Sequence, residues 1–421
     1  FPGDNDGARQ VILSSDDPAA APDWATVGSA AQIAEAAGTG FDSTVAPPWR
    51  IRVCRQGDGS LLFAAVLHHI VADGESMAPL IGDLAIAYAA RRAGNEPQFP
   101  PLAVQFADFA IWQHEVLGSP DDDASVAGTQ LRFWEKQLSD VPDVLQLPAD
   151  RPRPEVATHV GARVDFDLPA PIVARVTALA SEAGATPFMV IHSALTVLLA
   201  RLGDTDDVVV STPVAGRGRA VLDPLVGMFV NTLVLRTRLS LGFSFRDVLA
   251  GVRATDLGAF AHADVPFESV VERVNPTRSQ SFAPLAQVML AFTEPAPAIA
   301  ADDTGGLGVE PIAVDFVPAQ VDVTVEVHAA EDGDWTGSLL YAVDLFDEKR
   351  VRDMAAKLVT MLAALTADPD APVALAPLID EQERQQLAQW SDGGPPVTDG
   401  TLRRLTRVDG LPRSRSSGGS D

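Results

Sequence analysis

Leu61-Leu62-Phe63-Ala64-Ala65-Val66-Leu67-His68-His69-Ile70-Val71-Ala72-Asp73-Gly74 is the stretch on which the reading of this chain turns. Its seven leading apolar residues follow Gly59-Ser60, and a run of that length after a turn signal predicts a buried strand. Successive side chains on a strand point to opposite faces, so His68 and His69 are not expected to look into one cavity. One of them then belongs to packing and the other to a site. At Asp73-Gly74 the chain turns, where glycine permits backbone geometry or a close backbone approach that a Cβ would forbid. A histidine pair alone fits a packed strand end; followed at this spacing by an acid and a glycine, it fits a site.

The 421 residues leave room for two or three structural units at ~150 residues each. A hydrophobic content of 47% with 21% charged residues belongs to a globular chain rather than a disordered one. Against 57 Asp+Glu stand 31 Lys+Arg, a net charge of −26 that repels a phosphate backbone and argues against nucleic-acid binding. Cys54 is the single cysteine, so no intrachain disulfide forms, which suits a cytoplasmic protein. Between Val53 and Arg55 it reads as a small buried side chain. The longest apolar segment, residues 188–200, is interrupted by His192, Ser193 and Thr196 and falls short of the ~20 residues a membrane span needs. The start at Phe1, with no Met and no basic leader, reads as a cut from something longer.

Along the chain, residues 10–13 read as a strand and residues 29–37 as a helix. Residues 49–53 and 60–67 read as two strands of a hairpin closed by Gln56-Gly57-Asp58-Gly59. Residues 77–92 carry helical spacing, with Arg91 and Arg92 complementing the helix dipole and Gly94 as a stop. Further helices are predicted over 104–117 and 130–139. The proline-rich stretch 147–154 can continue neither helix nor central strand, so it is the expected boundary between a first lobe, 1–154, and a second, 155–390. In the second lobe, helices are predicted over 171–184, 187–202, 245–260 and 347–365, with Pro187 placed for a first helical turn. Strands are predicted over 207–213, 228–239, 321–327 and 335–343, and a turn over 331–334. From 391 to 421 no periodicity survives, which predicts linker or disorder.

Several segments resemble, in order, the motifs of nonribosomal peptide synthetase condensation domains, members of the chloramphenicol acetyltransferase-like superfamily. His68-His69-Ile70-Val71-Ala72-Asp73-Gly74 matches their H-H-x-x-x-D-G. Residues Phe106 to Trp112 are similar to Y-x-D-[FY]-A-x-W, with Phe106 in place of tyrosine. Asp150-Arg151-Pro152 matches the stretch leading into the interlobe linker. Ser211 to Arg217 and Val226 to Arg236 resemble the long motif of the second lobe. His262 to Glu268 is close to H-Q-x-V-P-F-E, and Pro284-Leu285-Ala286-Gln287-Val288 to P-L-F-Q-V. The resemblance spans roughly 49–390. The family's two opening motifs are not found, and Phe1-Pro2 looks like the end of the second, so the first lobe is expected to be truncated at its start. Thr398 to Thr401 looks like the start of a linker to an adenylation domain.

What the resemblance implies is a two-lobed α/β fold with mixed sheets flanked by helices, catalysing amide formation between a donor thioester and an acceptor amine. Both substrates would ride on phosphopantetheine arms of upstream and downstream carrier domains, with an adenylation domain following, no cofactor bound directly and no metal. His69 is the expected acid–base group, as an imidazole with an ordinary pKa near ~6.5 can accept or share an amine proton, typically for ~10²–10⁴-fold in rate. A true base and a positioner are both open readings. Gly74 could bring a backbone N–H to the carbonyl oxygen. Asp73 could orient a base, but the resemblance makes it structural, paired with Arg217, Arg236 or an arginine of the missing segment. His68 is then structural as well. Ser211 and Asn231 are candidates for lining the substrate tunnel. An epimerisation domain, a coenzyme A-dependent acyltransferase and a truncated non-catalytic remnant or docking platform are the alternatives.

Overall fold

The computed structural model describes residues 1–391 except 5–6, 15, 294–311, 313–316, 331–332 and 380. Phe1–Ala376 forms one compact unit and Pro377–Asp421 a second, in which helix α10 (Glu381–Ser391) is described. The expected tail after 391 and the adenylation-type linker at 398–401 lie outside the described residues, as does half of the turn at 331–334.

The first unit opens with the short antiparallel strands β1 (Gly3–Asp4) and β2 (Gly7–Ala8). A three-stranded mixed sheet follows, with β3 (Asp23–Thr26) parallel to β4 (Trp49–Arg55) and β4 antiparallel to β5 (Leu61–Leu67). The 10–13 segment expected as a strand is irregular: Val11, Ile12 and Leu13 are exposed, and among the described residues no strand pairs with them. Helix α1 (Ala30–Gly38) covers one face of the sheet, where Arg50 and Cys54 are buried and Arg50 Nη1 donates to the Ala36 carbonyl at 2.7 Å.

β5 departs from its expected burial. It forms an outer strand of the three, and its side chains alternate instead of being covered on both faces. Leu61 and Phe63 are 58% and 44% exposed. Residues directly opposite in a ladder share a face, so Phe63 and its partner Val53 lie opposite the face that α1 covers. A continuous apolar run reports apolar capacity on both faces, not which face the chain itself fills.

Helices α2 (Met77–Arg92), α3 (Phe106–Leu117) and α4 (Val126–Gln137) come next. Although α4 precedes the proline-rich stretch, it packs on the second sheet. Trp134, 1% exposed, sits among Leu233, Val234, Leu235 and Val265, and its indole N–H donates to the His262 carbonyl at 2.9 Å. The packing therefore crosses the lobe boundary expected at 154. The linker itself is stitched down: Asp150 N–H donates to the Leu345 carbonyl at 2.9 Å, and Arg153 pairs with buried Asp322.

The second sheet has six strands in the order β6 (Gly161–Leu168), β11 (Trp335–Ala342), β10 (Val323–His328), β9 (Val288–Thr293), β7 (Asp207–Val214), β8 (Asn231–Arg238). β9 runs parallel to both neighbours and the other pairs are antiparallel. Helices α5 (Ala170–Ala183), α6 (Pro187–Gly203), α7 (Phe245–Phe260), α8 (Phe267–Val274) and α9 (Glu348–Ala367) complete the layers. α6 is their axis. Thr186 caps it by accepting from Met189 N–H at 3.3 Å, Pro187 starts it, and every residue from Met189 to Ala200 is buried. The apolar 188–200 segment is thus a core helix. No single helix among the described residues is long and apolar enough to cross a membrane.

Candidate functional site

The site begins where β5 stops. Its last ladder pair joins Leu67 to Trp49, and the residues before Trp49 are Pro47 and Pro48, which have no N–H to extend the ladder. The chain turns there: His68 N–H donates to the Pro48 carbonyl at 2.9 Å, and Val71 N–H returns to the His68 carbonyl at 3.0 Å. The histidines accordingly lie in this turn, not on the strand as expected, so strand alternation does not separate them. Their hydrogen bonding does. His68 Nδ1 accepts Ile70 N–H at 3.0 Å and its ring meets Phe41 edge-on, tying it to the turn. The His69 ring is exposed, and among the described residues no hydrogen bond or ion pair holds it.

Below the turn sits a buried polar knot. Asp73, its side chain fully buried, pairs with Arg217 Nη2 at 2.9 Å and accepts Phe229 N–H at 3.0 Å. Ser76 Oγ donates to Asp73 Oδ1 at 2.7 Å, while Ser76 N–H donates to the same oxygen at 2.9 Å. Arg217 also donates through Nη1 to the Leu222 and Leu225 carbonyls, at 2.7 and 3.0 Å, and lies 4.2 Å over the Phe229 ring. Burial alone raises the pKa of Asp73. Hydrogen bonds from Ser76, Phe229 and Arg217, with the arginine's charge, outweigh it and hold the carboxyl below its ordinary value of 3.8.

A depressed folded-state pKa stabilises the fold above the unfolded carboxyl's pKa, and that contribution is lost as pH falls through the folded value. Stability measured by denaturant should therefore fall for the wild type relative to Asp73→Asn as pH is lowered below about 4. Their difference should stay constant between about pH 5 and 7. A gap independent of pH down to acid unfolding would remove Asp73 from the linkage.

Arg236, the other candidate partner, is engaged elsewhere. It pairs with Asp207 through Nη2 at 2.6 Å and donates to the Ser139 and Asp140 carbonyls. Gly216 sets the approach of Arg217: its φ is +65°, and a Cβ there would stand 1.9 Å from the Phe229 carbonyl oxygen. Gly216→Ala is expected to cost at least about 1–2 kcal/mol from the left-handed backbone alone, read as a lower denaturation midpoint. Gly74 differs. Its φ is not positive, it is exposed, and among the described residues a Cβ would meet nothing within 4 Å, which leaves open space beside its backbone.

Ser211 and Asn231 are committed inside the scaffold. Buried Ser211 donates from Oγ to the Val288 carbonyl at 3.3 Å. Asn231 Nδ2 donates to the Ala263 and Val265 carbonyls at 2.9 and 2.8 Å, and its Oδ1 accepts Phe267 N–H at 3.0 Å. Ser211 thus joins two strands of the second sheet, and Asn231 pins the 263–267 turn. A hollow of about 300 Å³ is lined by Arg153, His159, Phe282 and Asp322 among others, and a smaller one of about 140 Å³ lies beside Asp207 and Gln287. Neither has His69 on its wall. The sequence reading did not single out Ser76 or Gly227, although a serine three residues after Asp73 and just before a helical run is an N-cap signal.

A family model for the condensation domain matches residues 7–388. The chain belongs to the condensation-domain family. Among curated relatives, the isonitrile lipopeptide synthase of Mycobacterium tuberculosis is 39% identical over 365 residues, covering 86% of this chain and 14% of that protein. A dimodular nonribosomal peptide synthase of Bacillus subtilis is 38% identical over 367 residues, covering 85% of this condensation domain and 15% of the relative. The condensation domain thus spans about a seventh of the length of these two relatives. Among solved structures, the X-domain from teicoplanin biosynthesis aligns with a TM-score of 0.81 at 32% identity, over 90% of this chain and 85% of that one. That X-domain has also been solved in complex with OxyB. A holo four-domain nonribosomal peptide synthetase bound to AMP and glycine aligns with a TM-score of 0.72 at 25% identity, over 86% of this chain and 28% of that one. The mixed α/β layers described above are those of this fold.

Proposed function

We propose that this condensation domain joins a donor acyl or peptidyl thioester to the amine of an acceptor aminoacyl thioester, each tethered to the phosphopantetheine arm of a carrier domain. The observation that carries this reading is the free, exposed imidazole of His69 on a turn whose base is clamped by Asp73, Ser76 and Arg217. A thioester is already activated, so the demands are a neutral amine aimed at the carbonyl and a held oxyanion. His69 takes or shares the amine proton, and the open side of Gly74 admits the carbonyl oxygen to its backbone N–H. Asp73, Arg217 and His68 hold the turn in this scheme. The partners are upstream and downstream carrier domains and an adenylation domain, in the cytoplasm.

The test is reconstitution of the whole chain with loaded donor and acceptor carriers, followed by mass spectrometry of the acceptor. Amide on the acceptor arm supports condensation; deuterium uptake at the tethered α-carbon from D₂O, without amide, assigns epimerisation instead. A second reading, a docking platform without chemistry, is favoured by the likeness to the X-domain solved with OxyB. It predicts neither product from any carrier pair while the chain remains folded.

A further inference from the structure

The geometry points to Ser76 as the positioning residue that locks the His69 turn onto the 227–229 segment. This rests on the reading that His69 acts on substrate. Ser76 stands at the N-cap position of α2, yet its hydroxyl makes no cap bond to that helix. An N-cap serine normally spends its oxygen on an orphan N–H of its own first turn. Here the hydroxyl is turned away, fully buried, toward a segment 151 residues further on.

Its contacts there are reciprocal. Ser76 Oγ lies 2.9 Å from the Gly227 carbonyl oxygen and accepts Gly227 N–H at 3.1 Å. Asp73 N–H at 3.2 Å and Arg217 Nη2 at 3.1 Å also point at this oxygen, sharing its two lone pairs with Gly227 N–H, and Asp73 Oδ1 lies 2.7 Å away. Its single proton is shared between the Asp73 carboxylate and the Gly227 carbonyl. One oxygen therefore joins the end of the histidine turn to residue 227, and Asp73 adds the Phe229 N–H to the same join. The far side is equally fixed. The Phe106 ring presses on Gly227 so closely that a Cβ there would come within 2.4 Å of it, and Phe106 and Phe109 pack on Phe229. The 227–229 segment is thus tightly packed on both sides, and Ser76 is the oxygen that ties the turn to it.

Removing the hydroxyl leaves the Gly227 and Asp73 N–H groups short of a buried acceptor, and a lost bond of this kind loosens the groups it held. The test uses the whole chain. In Ser76→Ala, amide hydrogen exchange is expected to rise about tenfold or more over residues 68–76 and 226–230, with α6 unchanged. In the carrier assay kcat should fall about tenfold or more with KM for each carrier within about twofold. In a His69→Ala background the same change should add nothing to the remaining rate, because Ser76 acts through that ring. Ser76→Cys, isosteric but with a weaker hydrogen-bonding atom, should lie between, and carries the comparison where the alanine variant does not fold.

Unchanged exchange over both segments would overturn the assignment, whatever the activity. Looser segments with wild-type amide formation would overturn it too, by removing the link to the reaction. Looser segments in a chain whose wild type forms no amide would support the lock and discard the amide-forming reading instead.

Discussion

His69→Ala is expected to lower amide formation from carrier-bound substrates by ~10²–10⁴-fold, the usual worth of a positioned acid–base group. Its denaturation midpoint should match the wild type within about 0.5 kcal/mol, as for other exposed side chains without partners. The two expectations are tied by one observation: the ring is exposed and, among the described residues, carries no hydrogen bond, so the described fold loses no contact with it. His68 makes the matching control. Its Nδ1 accepts Ile70 N–H, so His68→Ala should disturb the turn and reduce the rate through geometry, with a measurable loss of stability. A substitution separates base from positioner. If His69 takes the proton, His69→Gln, whose amide cannot hold it, should be as slow as His69→Ala. If it only positions the amine by accepting its hydrogen bond, His69→Gln, whose side-chain carbonyl also accepts, should restore a large part of the rate. A His69→Ala variant with wild-type kcat in a chain that forms amide would remove the imidazole from the chemistry altogether.

How much of this was legible in the sequence depended on the range of the interaction. Helix α2 and the β4–β5 hairpin could be read to within a residue or two, because their signals are local: Gly94 after Arg91-Arg92, and Gly59 at a tight turn with φ of +91°. Strands β6 and β9 were missed, since Gly161–Leu168 mixes Asp and Arg into its alternation and Val288–Thr293 is a run of only six residues without polar alternation. The histidine motif was legible as a motif but not as geometry. Nothing in the run from Leu61 to His69 says that two prolines across the hairpin end the ladder one residue before His68. The choice of Arg217 over Arg236 for Asp73 was likewise hidden, because it depends on Asp207 lying directly across the ladder from Arg238 and beside Arg236. The tunnel roles expected of Ser211 and Asn231 rested on resemblance alone. Both residues stand near the site in sequence pattern, but their hydrogen bonds run into the sheet and the 263–267 turn.

Arg217→Ala should be the most damaging single change to stability in the site, costing about 3–5 kcal/mol by leaving a buried carboxylate without its counter-charge. Asp73 has no exposed side-chain surface, and solvent cannot replace the guanidinium. The loss reaches further than the ion pair. Arg217 also satisfies the Leu222 and Leu225 carbonyls and covers the Phe229 ring, so its removal strips donors from a loop packed on Phe106 and Phe109. Arg217→Lys should recover only part of the stability. A single ammonium cannot reach Asp73, Leu222 and Leu225 with the planar fork that serves all three. The double variant Asp73→Asn/Arg217→Ala is the informative one. If the cost of Arg217→Ala is chiefly the stranded charge, adding Asp73→Asn should return a substantial part of it, and the double-mutant cycle should show coupling of about 1–3 kcal/mol. If the cost is chiefly the lost loop donors, the two changes should add. Because the pair anchors the turn that carries His69 rather than touching substrate, the double variant, even where stability is partly restored, should still turn over slowly with near-normal carrier affinity. Rapid turnover in a folded Arg217→Ala protein would show that the clamp is dispensable, and with it the idea that this buried pair is what makes an exposed histidine useful.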